Sequence, residues 1–195
     1  MFALAEEYGL GDMLKHATAN NALKLAYQER TEEAIERAKQ AIESLNAQGV
    51  RIPRTIYLAS IGKLFWTGGR RAEGLAAIAE ALALVEDTGE RFYEAEIWRI
   101  KGELLLKASA SNAQAEAESC YRKAIEIARR QSAKAWELRA AKSLARLWKQ
   151  QGKIAEARQM LAEIYDWFTE GFDTADLKDA KALLDELQSQ TALPQ

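Results

Sequence analysis

One histidine, one cysteine and two prolines in 195 residues leave catalysis, metal binding and cross-linking little to work with. Cys120 alone cannot close a disulfide within the chain, which fits a reducing compartment. A single histidine and a single cysteine cannot make a zinc site of the usual composition. His16 is the sole imidazole base and lies far in sequence from Cys120, so no Cys–His or Ser–His pair is expected. Cys120, beside Tyr121, reads as a small packed hydrophobe. No G-x-x-x-x-G-K-[ST] loop occurs, and Gly68–Gly69 before Arg70–Arg71 reads as a helix-to-helix turn because no strand precedes it. An uncharged apolar run of about eighteen residues is missing, so no membrane span is expected. The N-terminal stretch carries Glu6, Glu7 and Asp12 instead of a basic, then apolar, leader, so no signal peptide is expected and the protein is placed in the cytoplasm. A net charge of −2 gives no overall attraction to nucleic acid or anionic lipid. No run of alternating β-branched residues suggests a strand. No cofactor or metal is expected, and the chain reads as a non-enzyme.

What the sequence does contain is alanine, leucine, glutamate, lysine, arginine and glutamine, the residues that lose least on entering a helix. Small and bulky residues recur in register. Ala22, Leu25, Ala34, Ala38 and Ala41 form one series, and Gly62, Phe65, Gly74, Ile78 and Ala81 repeat it with the same internal spacing. Ala145, Trp148, Ala157, Leu161 and Ile164 form another. Gly102, Leu105, Ala117, Tyr121 and Ala124 match once the loop at Ala108–Ala113 is allowed extra length, so the steps are 40, 40 and 43 residues. Two antiparallel helices approach closely only where small side chains meet, and bulky neighbours fill the space beside the contact. A lone helical hairpin cannot bury its apolar faces and stacks on the next.

Nine helices are predicted, near 12–27, 31–48, 53–66, 70–87, 91–108, 112–131, 133–151, 153–169 and 174–189. They make an all-α, right-handed α-α superhelix in one domain, 1–195. Its hairpins fall at about 12–48, 53–87, 91–131 and 133–169, with a capping helix at about 174–189. Pro53 suits a first helical turn, Thr31 an N-cap, and Ser111 with Gln114 a capping box. Gly49, Gly89, Gly152 and Gly171 stand where left-handed C-caps are wanted. Asp173, Asp176 and Asp179 read as capping groups of the last helix. Trp98, Trp148 and Trp167 fall on buried-face spacing and read as structural.

The Trp98–x3–Gly102 pair, followed by Ala117–x3–Tyr121–x2–Ala124, resembles the signature of tetratricopeptide (TPR) repeats. The period is longer than the usual thirty-four, and the terminal proline of each repeat is missing. The segments GERFYEAEIWRIKGELLL (89–106), ARRQSAKAWELRAAKSLARLWKQQGKIAEAR (128–158) and YDWFTEGFDTADLKDAKALLDEL (165–187) resemble the TPR tail of bacterial signalling proteins described as predicted ATPases or adenylate-cyclase-like. The likeness covers most of the chain and is strongest after residue 70. It extends to the tail alone, so ATPase activity does not carry over, and the chain reads as a fragment or a stand-alone relative.

The resemblance implies a concave groove lined by the first helix of each hairpin, where partners bind. Projected onto this sequence, the lining is His16, Ala19, Leu23, Ala26 and Tyr27, then Ile56, Ala59, Lys63, Trp66 and Thr67. Glu96, Arg99, Glu103, Leu106 and Lys107 follow, and last come Arg139, Lys142, Arg146, Lys149 and Gln150. The binding residues expected from this are Lys63, Trp66, Arg99, Lys107, Arg139, Lys142, Arg146 and Lys149. The last four share one helix face and are all cationic in an acidic protein. Such a face suits a protein or peptide partner with an acidic stretch or a free C-terminal carboxylate. The other reading is a solvated row neutralised by Glu96, Glu103 or the carboxylates of the closing helix. A protein-interaction module, a sensor of a small acidic effector and a self-associating module all remain open.

Overall fold

Three of the turns between helices close in the same way. The Arg70 amide donates back to the Phe65 carbonyl (2.8 Å), Ala133 to Ala128 (2.9 Å) and Lys153 to Trp148 (2.9 Å). Each bond spans one residue in the left-handed region: Gly69 at φ 76°, Ser132 at φ 54° and Gly152 at φ 78°. This geometry satisfies the last carbonyls of a helix while turning the chain back on itself. Gly69 and Gly152 have no β-carbon to strain; Ser132 does, and sequence reading did not find it.

These turns punctuate a computed structural model that describes residues 54–107 and 111–191, together with Glu32, Glu33, Ile35, Glu36, Lys39, Gln40 and Glu43, all seven helical. The further helices are α1 (Arg54–Thr67), α2 (Arg71–Thr88), α3 (Glu94–Leu106), α4 (Ala113–Arg130), α5 (Lys134–Gln150), α6 (Ile154–Tyr165) and α7 (Ala175–Thr191). No strand occurs among the described residues. The predicted ranges agree to within a few residues, except that α6 stops at Tyr165, well short of 169. The predicted helix at 12–27, the Thr31 cap, Pro53, Gly49 and the groove residues from His16 to Tyr27 lie outside the described residues.

The chain divides into two units, Met1–Tyr93 and Glu94–Gln195. In the first, Leu58, Ile61, Leu64 and Phe65 of α1 are buried, as are Ala77, Ile78, Ala81 and Val85 of α2. The predicted small-residue contact is there. A β-carbon on Gly74 would lie 2.9 Å from the Gly62 carbonyl oxygen, and one on Gly62 would lie 3.0 Å from Ile78. The two backbones touch, which is why both positions are glycine.

In the second unit α4 packs on α3 and α5, and α6 packs on α5 and α7. The first helices of successive hairpins are also neighbours, α3 beside α5, and the closing helix α7 takes the next place beside α5. One core runs through Tyr121, Leu138, Leu144, Leu147, Leu161 and Ile164 into Leu177, Leu183 and Leu187 of α7. Each of those leucines contributes about 1.5–3 kcal/mol on burial, so α7 is a full member of this unit's core. Gly102 meets the Tyr121 ring, with a notional β-carbon 2.5 Å from Cε1. Cys120 is buried and its thiol pKa is pushed up by desolvation, as expected of a packing residue.

Three expectations need correction. The Ser111–Gln114 capping box does not form, because α4 begins at Ala113 with Asn112 before it and no side-chain cap bond. Asn112 instead donates to Glu116 on its own helix (2.5 Å). Gly171 is left-handed (φ 74°), but it sits in the loop before α7 and not just past a helix. Trp167 is 58% exposed, because helical spacing no longer applies once α6 has ended; it lies edge-on to Phe168 with Lys134 over its ring.

Candidate functional site

Lysine and arginine at three- and four-residue spacing put Arg139, Lys142, Arg146 and Lys149 on one face of α5. That face looks toward α7, and the carboxylates of α7 meet it almost one for one. Arg139 Nε donates to Asp176 (2.6 Å), Arg146 to Asp179 (2.6 Å), and Lys149 pairs with Glu186. Lys142 is the centre of the row. Its Nζ donates to Asp176 Oδ1 (2.7 Å), Asp179 Oδ2 (3.0 Å) and the Asp176 carbonyl (3.3 Å), which uses all three ammonium hydrogens. Its side chain is 7% exposed.

Asp176 and Asp179 therefore do more than cap α7, whose first turn is served by Thr174, with its Oγ1 accepting from the Leu177 amide at 3.5 Å. Burial alone would raise the pKa of both aspartates. The hydrogen bonds and charges of Lys142 with Arg139, and of Arg146 with Lys142, outweigh it and hold both carboxyls below the ordinary aspartate value. The leucine stripe of α7 sets this register, since burying Leu177, Ala180, Leu183 and Leu187 turns Asp176 and Asp179 toward α5.

On the other side of α5, Arg99 of α3 is 8% exposed. Its guanidinium donates to both oxygens of Glu96 (2.7 Å each), to Glu103 and to Ser143 Oγ of α5 (3.5 Å). Desolvation works to lower its pKa, but the bonds and charges of Glu96 and Glu103 raise it above the usual arginine value. The first-helix face of this unit is thus three charged rows side by side: acidic with a buried arginine, basic, and acidic. Arg139 and Arg146 keep 40% and 46% of their side-chain surface while paired.

Lys107 is exposed just past α3. Lys63 and Trp66 lie half-buried on α1 of the first unit. The structure brings Arg139, Lys142, Arg146 and Lys149 together and puts Arg99 on the adjacent helix. The sequence offered the carboxylates of the closing helix as neutralising groups for this row, and the structure shows which of them do so: Asp176, Asp179 and Glu186.

Hairpins of this length stacked first helix beside first helix make a TPR-like repeat fold, and solved structures of TPR-like repeat proteins share it. A kinesin light chain-like protein of nearly identical TPR-like repeats from Podosopora anserina matches 92% of this chain and 97% of its own, with a TM-score of 0.61 at 15% identity. A single-substitution variant of that protein matches over 91% and 94%, also with a TM-score of 0.61 at 15% identity. BtubC (BKLC) from P. vanneervenii matches over 94% and 92%, with a TM-score of 0.55 at 15% identity. The likeness is one of fold. No protein-family model and no curated protein matches the sequence.

Proposed function

We propose that this chain is a non-catalytic protein-interaction module that holds an acidic peptide, or the acidic face of a neighbouring domain, on the first helices of its hairpins. The contact falls to Arg139 and Arg146 with Lys149 and Lys107 of the same unit, while Lys142 and Arg99, both buried and fully paired, hold the face in place; Lys63 and Trp66 would serve the first-helix face of the other unit. The sequence likeness of residues 89–187 to the TPR tails of bacterial signalling proteins favours a regulatory or scaffolding role in the cytoplasm, away from nucleic acid and membrane.

One observation supports it above the others: the basic row of α5 already holds an acidic amphipathic helix, the chain's own α7. The row takes carboxylates at helical spacing, and Arg139 and Arg146 retain surface for more. Their guanidinium groups can each accept a second carboxylate from the solvent side. The test is a fluorescence-anisotropy titration of the full chain with labelled acidic peptides, in free-carboxylate and amidated forms. Replacing Arg139 and Arg146 together by glutamine should weaken binding by at least about tenfold, the loss expected of one to two charge-assisted contacts. Equal binding by parent and variant, or none at physiological ionic strength, would sink the proposal. A small acidic metabolite that raises the melting temperature when the peptides do not would shift the reading to effector sensing.

A further inference from the structure

The repeat copies a second feature, on the opposite edge of the hairpins, that the first-helix face does not use. In the first unit Lys39 lies over the Phe65 ring (5.4 Å to the centroid), and Arg122 lies over the Trp148 ring (5.0 Å) in the second. These are matching places of the repeat, since each cation follows the bulky position of one second helix (Ala38, Tyr121) and each aromatic is the bulky position of the next first helix. Glu43 and Glu126 match as well, one turn after the cation. Beside each aromatic is a cavity between successive second helices, about 350 Å³ in the first unit and about 390 Å³ in the second.

The two cavities share a floor and differ at the rim. Among the described residues, Leu58, Ile61 and Phe65 floor the first, and Glu43, Glu73 and Glu80 stand around it with the single cation Lys39. Ile125, Leu144, Trp148 and Met160 line the second, with three arginines, Arg122, Arg129 and Arg130, and one carboxylate, Glu126, at its edge. Seating a cation on the aromatic from the preceding helix takes one residue, Lys39 in the first unit and Arg122 in the second. Arg129 and Arg130 are additional, and Asn46 and Ala47 stand at the matching places. All three rim arginines keep more than half of their side-chain surface while paired with Glu118, Glu137 and Glu126.

We propose that the groove of α4, α5 and α6 is a second binding site, distinct from the first-helix face. Its occupant is a short segment of a partner protein that inserts one bulky apolar side chain against Trp148 and Met160. A carboxylate next to that anchor pairs with Arg130 and Arg122. The cavity is of the size that takes a large side chain with its backbone, and arginines around an apolar floor are the chemistry of a carboxylate-flanked anchor. The matching groove of the first unit has Glu43, Glu73 and Glu80 beside Lys39 among its described lining and should bind it more weakly.

The test is an NMR titration of the full chain with a synthetic peptide carrying one phenylalanine between aspartates. The Trp148 indole and Met160 methyl signals are the readout. Saturable shifts of both are expected. Arg130→Glu, an exposed change that gives up a 3.8 Å ion-pair contact with Glu126, should weaken binding by about tenfold, the loss of one charge-assisted contact and the gain of a repulsion. Arg139→Gln with Arg146→Gln should leave this affinity unchanged, which separates the groove from the first-helix face. Absence of saturable shifts at Trp148 and Met160 overturns the proposal. So does equal binding of a peptide with alanine in place of the phenylalanine, or an Arg130→Glu affinity equal to the parent's.

Discussion

Adding one methyl group at Gly102 tests whether small residues hold these hairpins together. A β-carbon there would stand 2.5 Å from Cε1 of Tyr121, 2.9 Å from Cδ1 and 3.1 Å from Cζ. Tyr121 is 1% exposed, so the ring cannot swing into solvent, and the helices must part or the ring must leave its rotamer. Overpacking costs about 1–3 kcal/mol, and an approach as close as 2.5 Å to a buried ring falls in the upper half, about 2–3 kcal/mol. Alanine recovers about 0.8–1.0 kcal/mol over glycine in a helix interior, which leaves Gly102→Ala less stable by about 1–2 kcal/mol. Equilibrium urea unfolding followed by circular dichroism measures it. The mechanism predicts a rescue: in a Tyr121→Leu background the same methyl should be neutral or stabilising, by up to about 1 kcal/mol. The last hairpin already uses that combination, with Ala145 and Leu161 at the matching positions. Gly102→Ala with parental stability in the presence of Tyr121 would refute the reasoning.

Asp176→Asn with Asp179→Asn keeps the shapes but removes the charges facing Lys142, and should cost about 1–2 kcal/mol at pH 7, at the lower end for hydrogen bonds to charged groups because the aspartates are partly solvated. Both carboxyls have folded-state pKa values depressed below 3.8, so their stabilisation is fully present above that value and is lost as pH falls from it through the lower folded-state values. Urea unfolding at stepped pH should show parent and variant converging in acid; a constant gap down to about pH 3 would count against the assignment. Ser132→Gly should stabilise by about 0.5–1 kcal/mol, the left-handed penalty less the added freedom of the unfolded glycine, and raise the melting temperature by a few degrees. Arg99→Met leaves Glu96 and Glu103 without their shared cation and should cost about 3 kcal/mol. Adding Glu96→Gln and Glu103→Gln should recover part of that loss in the same unfolding assay.

The helices from Arg54 onward, their order and the repeat across residues 62–164 were legible in the sequence because they depend on local chemistry. Spacing of apolar residues sets each helix face, glycine marks Gly69, Gly89 and Gly152 as turns, and the Gly62–Gly74 and Gly102–Tyr121 contacts follow from small residues recurring at fixed steps. Features that depend on where a helix stops were less secure. Trp167 sits on the buried stripe only if α6 continues past Tyr165, and it does not. Ser132 carries no compositional sign of a left-handed turn; the closing bond from Ala133 to Ala128 imposes it.

The basic row on α5 was equally plain as a pattern of residues, and its state was not. Whether four cations face solvent or carboxylates depends on which surface lies opposite, and that surface belongs to a helix more than thirty residues further along the chain. The rotation of that helix is set by burial of Leu177, Leu183 and Leu187, not by its charges. Sequence by itself determined that a basic row and an acidic closing helix exist. Only the tertiary packing decided that they meet, because the larger free energy of burying leucines chooses the geometry and the ion pairs form within it.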